Sequence, residues 1–185
     1  MFKMFILFFI FFLSCIYLFA QESPSKYSSY GIELQQYPTG FLLGAQAEFG
    51  FKAHQSFDFR LGYNLVDHRD QGKHANEEGG GFGFTLGYRY YFQAQNTRFF
   101  LGIRSDLWFN KIEWQDGPTD SGTTDIVILQ PTIIGGYLFL IKEKWSVTPT
   151  LAFGYEINIV EDGEPIGQGP ILLWGLNFCY RIAKQ

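Results

Sequence analysis

Residues 81–92, GFGFTLGYRYYF, narrow the choice of fold more than any other stretch of the chain. Successive side chains of a strand point to opposite faces. Read in that way, one face carries Phe82, Phe84, Leu86, Tyr88, Tyr90 and Phe92. The other carries Gly81, Gly83, Thr85, Gly87, Arg89 and Tyr91. The first is a bulky apolar wall, and the second is small and polar with one arginine. A soluble sandwich would turn the large residues into a core and leave charge on the exposed face. A barrel in a membrane does the reverse, with aromatics against lipid and Gly, Thr and Arg in the lumen.

The same alternation recurs in residues 30–36, 41–51, 57–65, 99–109, 126–140, 145–159 and 172–182, which makes eight segments in all. In 57–65, for example, Phe57, Phe59, Leu61, Tyr63 and Leu65 oppose Asp58, Arg60, Gly62 and Asn64. Segment 126–140 is more continuously apolar and contains Pro131, a residue that argues against a central strand. The connections at 38–40, 52–55, 93–97 and 142–144 are short, whereas those at 66–80, 111–125 and 161–169 are long and rich in strand breakers. Barrels of the outer membrane have short periplasmic turns, longer outside loops and an even strand count. A periplasmic N-terminus puts every long connection outside, with 38–40 as an unusually small outside turn. The fold predicted is therefore all-β, an eight-stranded antiparallel up-and-down transmembrane β-barrel.

Composition agrees. Of 185 residues 19% are aromatic, with 21 Phe and 11 Tyr beside 21 Gly. Yet 17% are charged and the mean hydropathy is −0.03, because half of each such strand is polar. The sequence pI of about 5.3 and the lack of a basic stripe leave nucleic-acid binding without support.

The first residues, MFKMFILFFIFFLSCIYLFA, read as a signal peptide over 1–20. Lys3 supplies the positive start, residues 4–13 the apolar run, and Leu18-Phe19-Ala20 the cleavage site. An uncleaved anchor helix and lipidation at Cys15 are the alternatives. Residues 21–28 form a polar periplasmic leader and 29–185 the barrel. Cleavage leaves Cys179 as the only cysteine, which excludes an intramolecular disulfide and fits a small packed side chain.

The signal sequence, the eight alternating segments and the closing run 172–182 resemble the small eight-stranded outer-membrane barrels, the OmpA/OmpX-like, porin-like group. The resemblance is architectural and covers residues 30–182. It implies location in the cell outer membrane of a Gram-negative envelope, with outer-membrane lipid and the barrel-insertion machinery as partners and a monomeric state. Such barrels typically end on an aromatic residue that the insertion machinery recognises. This chain continues past Tyr180 to Gln185.

On the predicted lumen face Glu33, Glu48, Asp58, Asp106 and Glu156 oppose Arg60, Arg89, Arg104 and Arg181. An eight-stranded barrel is just wide enough for its side chains to fill it. Mixed charge in so narrow a space should pair, since buried unpaired charge is costly. A closed plug is expected, against a narrow porin-like channel gated by those pairs. The wall of Phe84, Leu86, Tyr88, Leu101, Leu151, Phe153, Trp174 and Leu176 is expected to face lipid. Tyr90, Phe92, Trp145 and Tyr180 are expected at the periplasmic rim, and Trp114 beside an outside loop.

The long loops carry Asp67, Asp70, Glu77, Glu78, Glu113, Asp116, Asp120, Asp125, Glu161, Asp162 and Glu164 against Arg69, Lys73 and Lys111. Such acidity could steer a surface ligand, but it also simply keeps loops solvated. No calcium-loop or zinc-type spacing is present, and no cofactor is implied. His68 and His74 share one loop and His54 lies in a turn. Neither Ser105 nor Ser121 stands in a motif with a histidine, so no catalytic residue is assigned. The function expected is non-enzymatic, structural or surface-binding. The alternative is a lipid A-modifying barrel, recognisable by a His, a hydroxyl and a carboxylate meeting at the lipid-facing outer rim. A soluble lipocalin-type calyx would bury the apolar face inward, against the grain of the small, charged opposite face.

Overall fold

A computed structural model describes residues 26–94 and 96–183. The signal sequence, Cys15 and most of the leader lie outside the described residues. Eight antiparallel strands close into a barrel in sequence order, each paired with its neighbours in the chain and the first with the last. They are β1 (Tyr27–Tyr37), β2 (Gly40–Lys52), β3 (Gln55–Arg69), β4 (Asn76–Gln93), β5 (Thr97–Gln115), β6 (Ser121–Ile141), β7 (Trp145–Asp162) and β8 (Gly169–Ala183). Closure leaves no edge strand, so the backbone donors and acceptors are satisfied within the ring, as lipid demands.

The alternation holds in every strand. Leu86, Leu101, Leu151, Phe153 and Trp174 are exposed on the outside, whereas Arg89, Arg104, Asp106 and Asn177 are buried within. Phe84, Tyr88 and Leu176 share the outer face and are half-covered by neighbouring rings and side chains. An outer surface bearing Phe82 at 74% and Ile103 and Ile133 at 64% exposure would be insoluble in water, and is matched to hydrocarbon.

Of the three connections predicted as long loops, 66–80 and 111–125 are mostly strand, whereas 161–169 is mostly loop. Between β3 and β4 only residues 70–75 lie outside the ladder; between β5 and β6 only 116–120, and between β7 and β8 only 163–168. The ladder continues through polar sequence, pairing Asp67 with Glu78 and Glu113 with Thr123. Backbone pairing is indifferent to side-chain polarity, so hairpins can extend past the apolar belt once its strands have set the register. The belt's upper edge is visible in the outward residues. Leu65, Phe82 and Phe109 give way to Asp67, Glu78, Lys111 and Glu113. At that boundary Gly79 and Gly80 have φ of 146° and 152°. A Cβ on Gly80 would lie 2.0 Å from the Asn64 carbonyl oxygen, so only glycine lets β3 and β4 approach there. At the other end β1 begins at Tyr27, inside the stretch expected to be leader.

Pro131 is accommodated within β6. Its carbonyl faces Gly154 on β7, so its missing N–H lies on the same side. The β6–β7 ladder omits Gln130 and Pro131, while the β5–β6 ladder runs through them. Pro149 does the same from β7, and the ladder omits Tyr137 and Leu138 opposite it.

Candidate functional site: the lumen and its outer mouth

The interior is built from the inward-facing positions of all eight strands. Arg60 on β3 lies at its centre, 1% exposed. Its Nη1 donates to Glu33 Oε2 at 3.0 Å and Gln35 Oε1 at 2.6 Å, both on β1. Its Nε donates to Thr85 Oγ1 on β4 at 2.9 Å, and its Nη2 to Asp106 Oδ1 on β5 at 2.6 Å. The Thr85 hydroxyl in turn donates to Asp106. Arg104 completes the group: Nη1 reaches Glu33 Oε1 at 3.2 Å, Nη2 reaches Gln35 Oε1 at 2.8 Å, and Nε lies 3.4 Å from Asp106 Oδ2. A planar guanidinium with donors in a fixed fork can serve partners on several strands at once, which an ammonium cannot do with the same geometry.

A second group sits towards the short turns. Arg89 pairs with Glu48 Oε2 at 3.1 Å and with Asp58 Oδ1 at 3.1 Å. Glu48 Oε1 also accepts from the hydroxyls of Tyr27, Ser56 and Tyr91, at 2.5, 2.7 and 2.7 Å. Around both groups the lumen is packed with apolar side chains, among them Leu42, Phe100, Trp108, Ile134 and Leu173. Two of the arginines each lie against one ring, Arg60 5.4 Å from Trp108 and Arg89 4.9 Å from Phe100. The ion pairs of the plug thus come from β1–β5, and most of its apolar side chains from β5–β8.

Of the residues expected to form one lumen network, Arg60, Arg104 and Asp106 come together with Glu33, while Glu48, Asp58 and Arg89 form the second group. Glu156 and Arg181 stand apart. Glu156, beside Gln130, lines the outer mouth. Arg181 lies at the short-turn end, its guanidinium 3.7 Å over the Tyr27 ring and its Nη2 donating to the Asn96 carbonyl at 2.8 Å. Tilted strands place equivalent positions at different heights, so a shared face does not mean a shared level. Gln35, Thr85, Tyr27, Ser56 and Tyr91 join the network as neutral partners. A search for charge alone passes over them, although all except Ser56 and Tyr27 fall within the alternating segments.

The outer mouth is held by the long hairpins. Glu77 accepts from the backbone amides of Lys73 and His74 at 2.9 and 3.0 Å, and pairs with His68 Nε2 at 3.1 Å. Burial alone would raise its pKa, but these bonds outweigh burial and hold the carboxyl below its ordinary range. His74 stacks on Trp114 at 4.3 Å between ring centres and contacts Asp116 Oδ2 at 2.7 Å. That bond, with one from the Ala75 amide, lowers the Asp116 pKa. Both histidines of this loop are therefore engaged with carboxylates inside the hairpins. Among the described residues no group of three His, Cys, Asp or Glu side chains could hold a metal ion.

At the opposite end aromatic rings form a girdle. Trp145 packs on Tyr180 at 5.0 Å, Phe99 on Tyr137 at 4.6 Å and Tyr90 on Phe92 at 6.0 Å.

These features, an apolar outer belt, a polar lumen, a girdle and extended hairpins at one end, define an eight-stranded up-and-down barrel of the outer-membrane type. Comparison of structures agrees. The N-terminal β-barrel domain of Pseudomonas aeruginosa OprF superposes with a TM-score of 0.53 at 12% identity, covering 86% of this chain and 100% of that domain. Neisserial surface protein A matches with a TM-score of 0.47 at 9% identity, over 88% of this chain and 100% of that one. A de novo designed transmembrane β-barrel matches at 0.40 and 12% identity, over 87% and 98%. No family model and no curated protein sequence matches the chain. At such identities the likeness is one of fold.

Proposed function

We propose that the protein is a non-enzymatic barrel of the outer membrane whose lumen is a closed, structural plug, with its short turns in the periplasm and its acidic hairpins outside. The observation that carries this reading is Arg60, a single buried guanidinium bonded to side chains from three other strands. Eight strands enclose little more space than their own side chains need. An ion crossing this lumen would have to break pairs whose side chains are 0–1% exposed, against a desolvation cost of several kcal/mol per ion. The apolar belt and the fold support the membrane location. The positions of His68 and His74, turned onto carboxylates within the hairpins, speak against a lipid-facing catalytic group. Planar-bilayer recording tests the plug: the purified protein should give no stable conductance steps. Large, ion-selective steps would replace the plug with a channel.

A further inference from the structure

Above the plug the barrel opens into a cavity of about 460 Å³, within the range of sites for small organic ligands. Its walls are aliphatic, from Ile112, Ile126, Ile128 and Ile171, and a few polar groups converge on it. Asn110, 3% exposed, lines the cavity with neither its amide oxygen nor its amide nitrogen bonded to another protein group. Such a group buried without a partner carries a desolvation cost that a ligand could recover. Glu156 also lines it, near the Tyr37 hydroxyl. Glu77, the other carboxylate of the lining, is already committed to His68 and two backbone amides. Lys73, the one Lys or Arg of the lining, is exposed on the loop above. Two hairpins meet across the top: a Cβ on Gly167 would lie 3.2 Å from Gly72 Cα.

We propose that this mouth is a binding site for a small amphipathic amine, its ammonium on Glu156 and its hydrocarbon body against the isoleucines beside Asn110. A neutral ligand could satisfy Asn110 but would leave the carboxylate unused, and an anion would oppose two carboxylates. The proposal rests on the topology in which this end faces outside, and not on the closed lumen. Conductance in the bilayer would therefore overturn the plug and leave the site standing.

The test uses the barrel in lipid nanodiscs with three probes of similar shape: 2-phenylethylamine, 2-phenylethanol and 3-phenylpropionate. Titration followed by NMR should show saturable binding of the amine, with a shift of the Asn110 side-chain amide beyond that in empty-nanodisc controls. The alcohol should bind more weakly and the carboxylate not at all. Glu156→Gln should weaken amine binding by about tenfold or more, the loss expected for one charge-assisted hydrogen bond. Ile126→Trp, which fills the cavity from the position directly opposite Asn110 while leaving the Glu156 side chain in place, should abolish it, and is decisive if the Glu156 variant does not fold. No saturable binding of the amine, equal binding of alcohol and amine, or unchanged affinity in both variants would overturn the proposal.

Discussion

Removing the Arg104 guanidinium would take a cation from Glu33 Oε1 and Asp106 Oδ2, both on side chains with no access to water. Losing one partner of a buried pair costs about 3–5 kcal/mol, because the other charge stays buried. Arg104→Ala should lose about that much in urea unfolding from lipid vesicles, less if water enters the gap. Arg104→Lys should fall between, since it restores the charge but not the fork that also holds Gln35. At the hairpin end Glu77 gives a pH dependence. Its folded-state pKa is depressed, so its contribution is complete above the unfolded carboxylate value of about 4.3 and is lost as pH falls through the lower folded value. Hydrogen exchange of the Lys73 and His74 amides, corrected for intrinsic rates, should accelerate below about pH 4. In Glu77→Gln that step should vanish. An unaltered step in the variant would mean that another group braces the loop.

At the scale of the strand, β7 gives the clearest measure of where the hydrocarbon lies. Its outward residues run from Trp145 at the girdle to Ile157 below the charged extension. A strand rising about 3.3 Å per residue and tilted by about 40° crosses a belt of about 25 Å in roughly ten residues. Leu151, 56% exposed and paired with Trp174, falls near the middle of that run. Leu151→Arg should therefore cost about 2–4 kcal/mol and reduce insertion, read as loss of the folded band in unheated electrophoresis. Insertion equal to the parent would move the belt elsewhere. The strands themselves were legible in the sequence because each spans only the belt in its alternating part. What lay beyond was not, since Asp67–Glu78 and Glu113–Thr123 pair through backbone bonds that polar composition does not announce. The apolar half of the plug was hidden for a related reason. Leu42, Phe100 and Leu173 sit between outward apolar neighbours, so the alternation there is of face and not of polarity. Residues 126–140 form a strand as expected in spite of Pro131, because a missing donor is tolerated where the β6–β7 ladder has a gap.

For the molecule as a whole, the two ends differ in kind, and the proposed orientation in the membrane rests on that difference. One end has tight turns at 53–54 and 142–144 and a ring of aromatics that includes Trp145, Tyr180 and Tyr137. The other has extended, acidic hairpins that carry Trp114 above the apolar belt, stacked on His74. Aromatic rings settle at headgroup level, where one edge meets hydrocarbon and the other water. Longer polar hairpins are the expected form of the outside loops. Tryptophan serves as the reporter at both ends, since Trp145 is 55% exposed on the outer surface at the short-turn rim, whereas Trp108 is buried in the plug. Variants retaining only Trp114 or only Trp145, with the other tryptophans changed to Phe, isolate the two signals. In oriented proteoliposomes, a membrane-impermeant quencher added on the hairpin side should quench Trp114, while Trp145 responds to the same quencher only when it is trapped on the other side. Lipids brominated near the headgroup should quench Trp145 more than Trp114. Equal quenching of both from one side would show that the hairpins and the girdle do not lie on opposite faces of the bilayer.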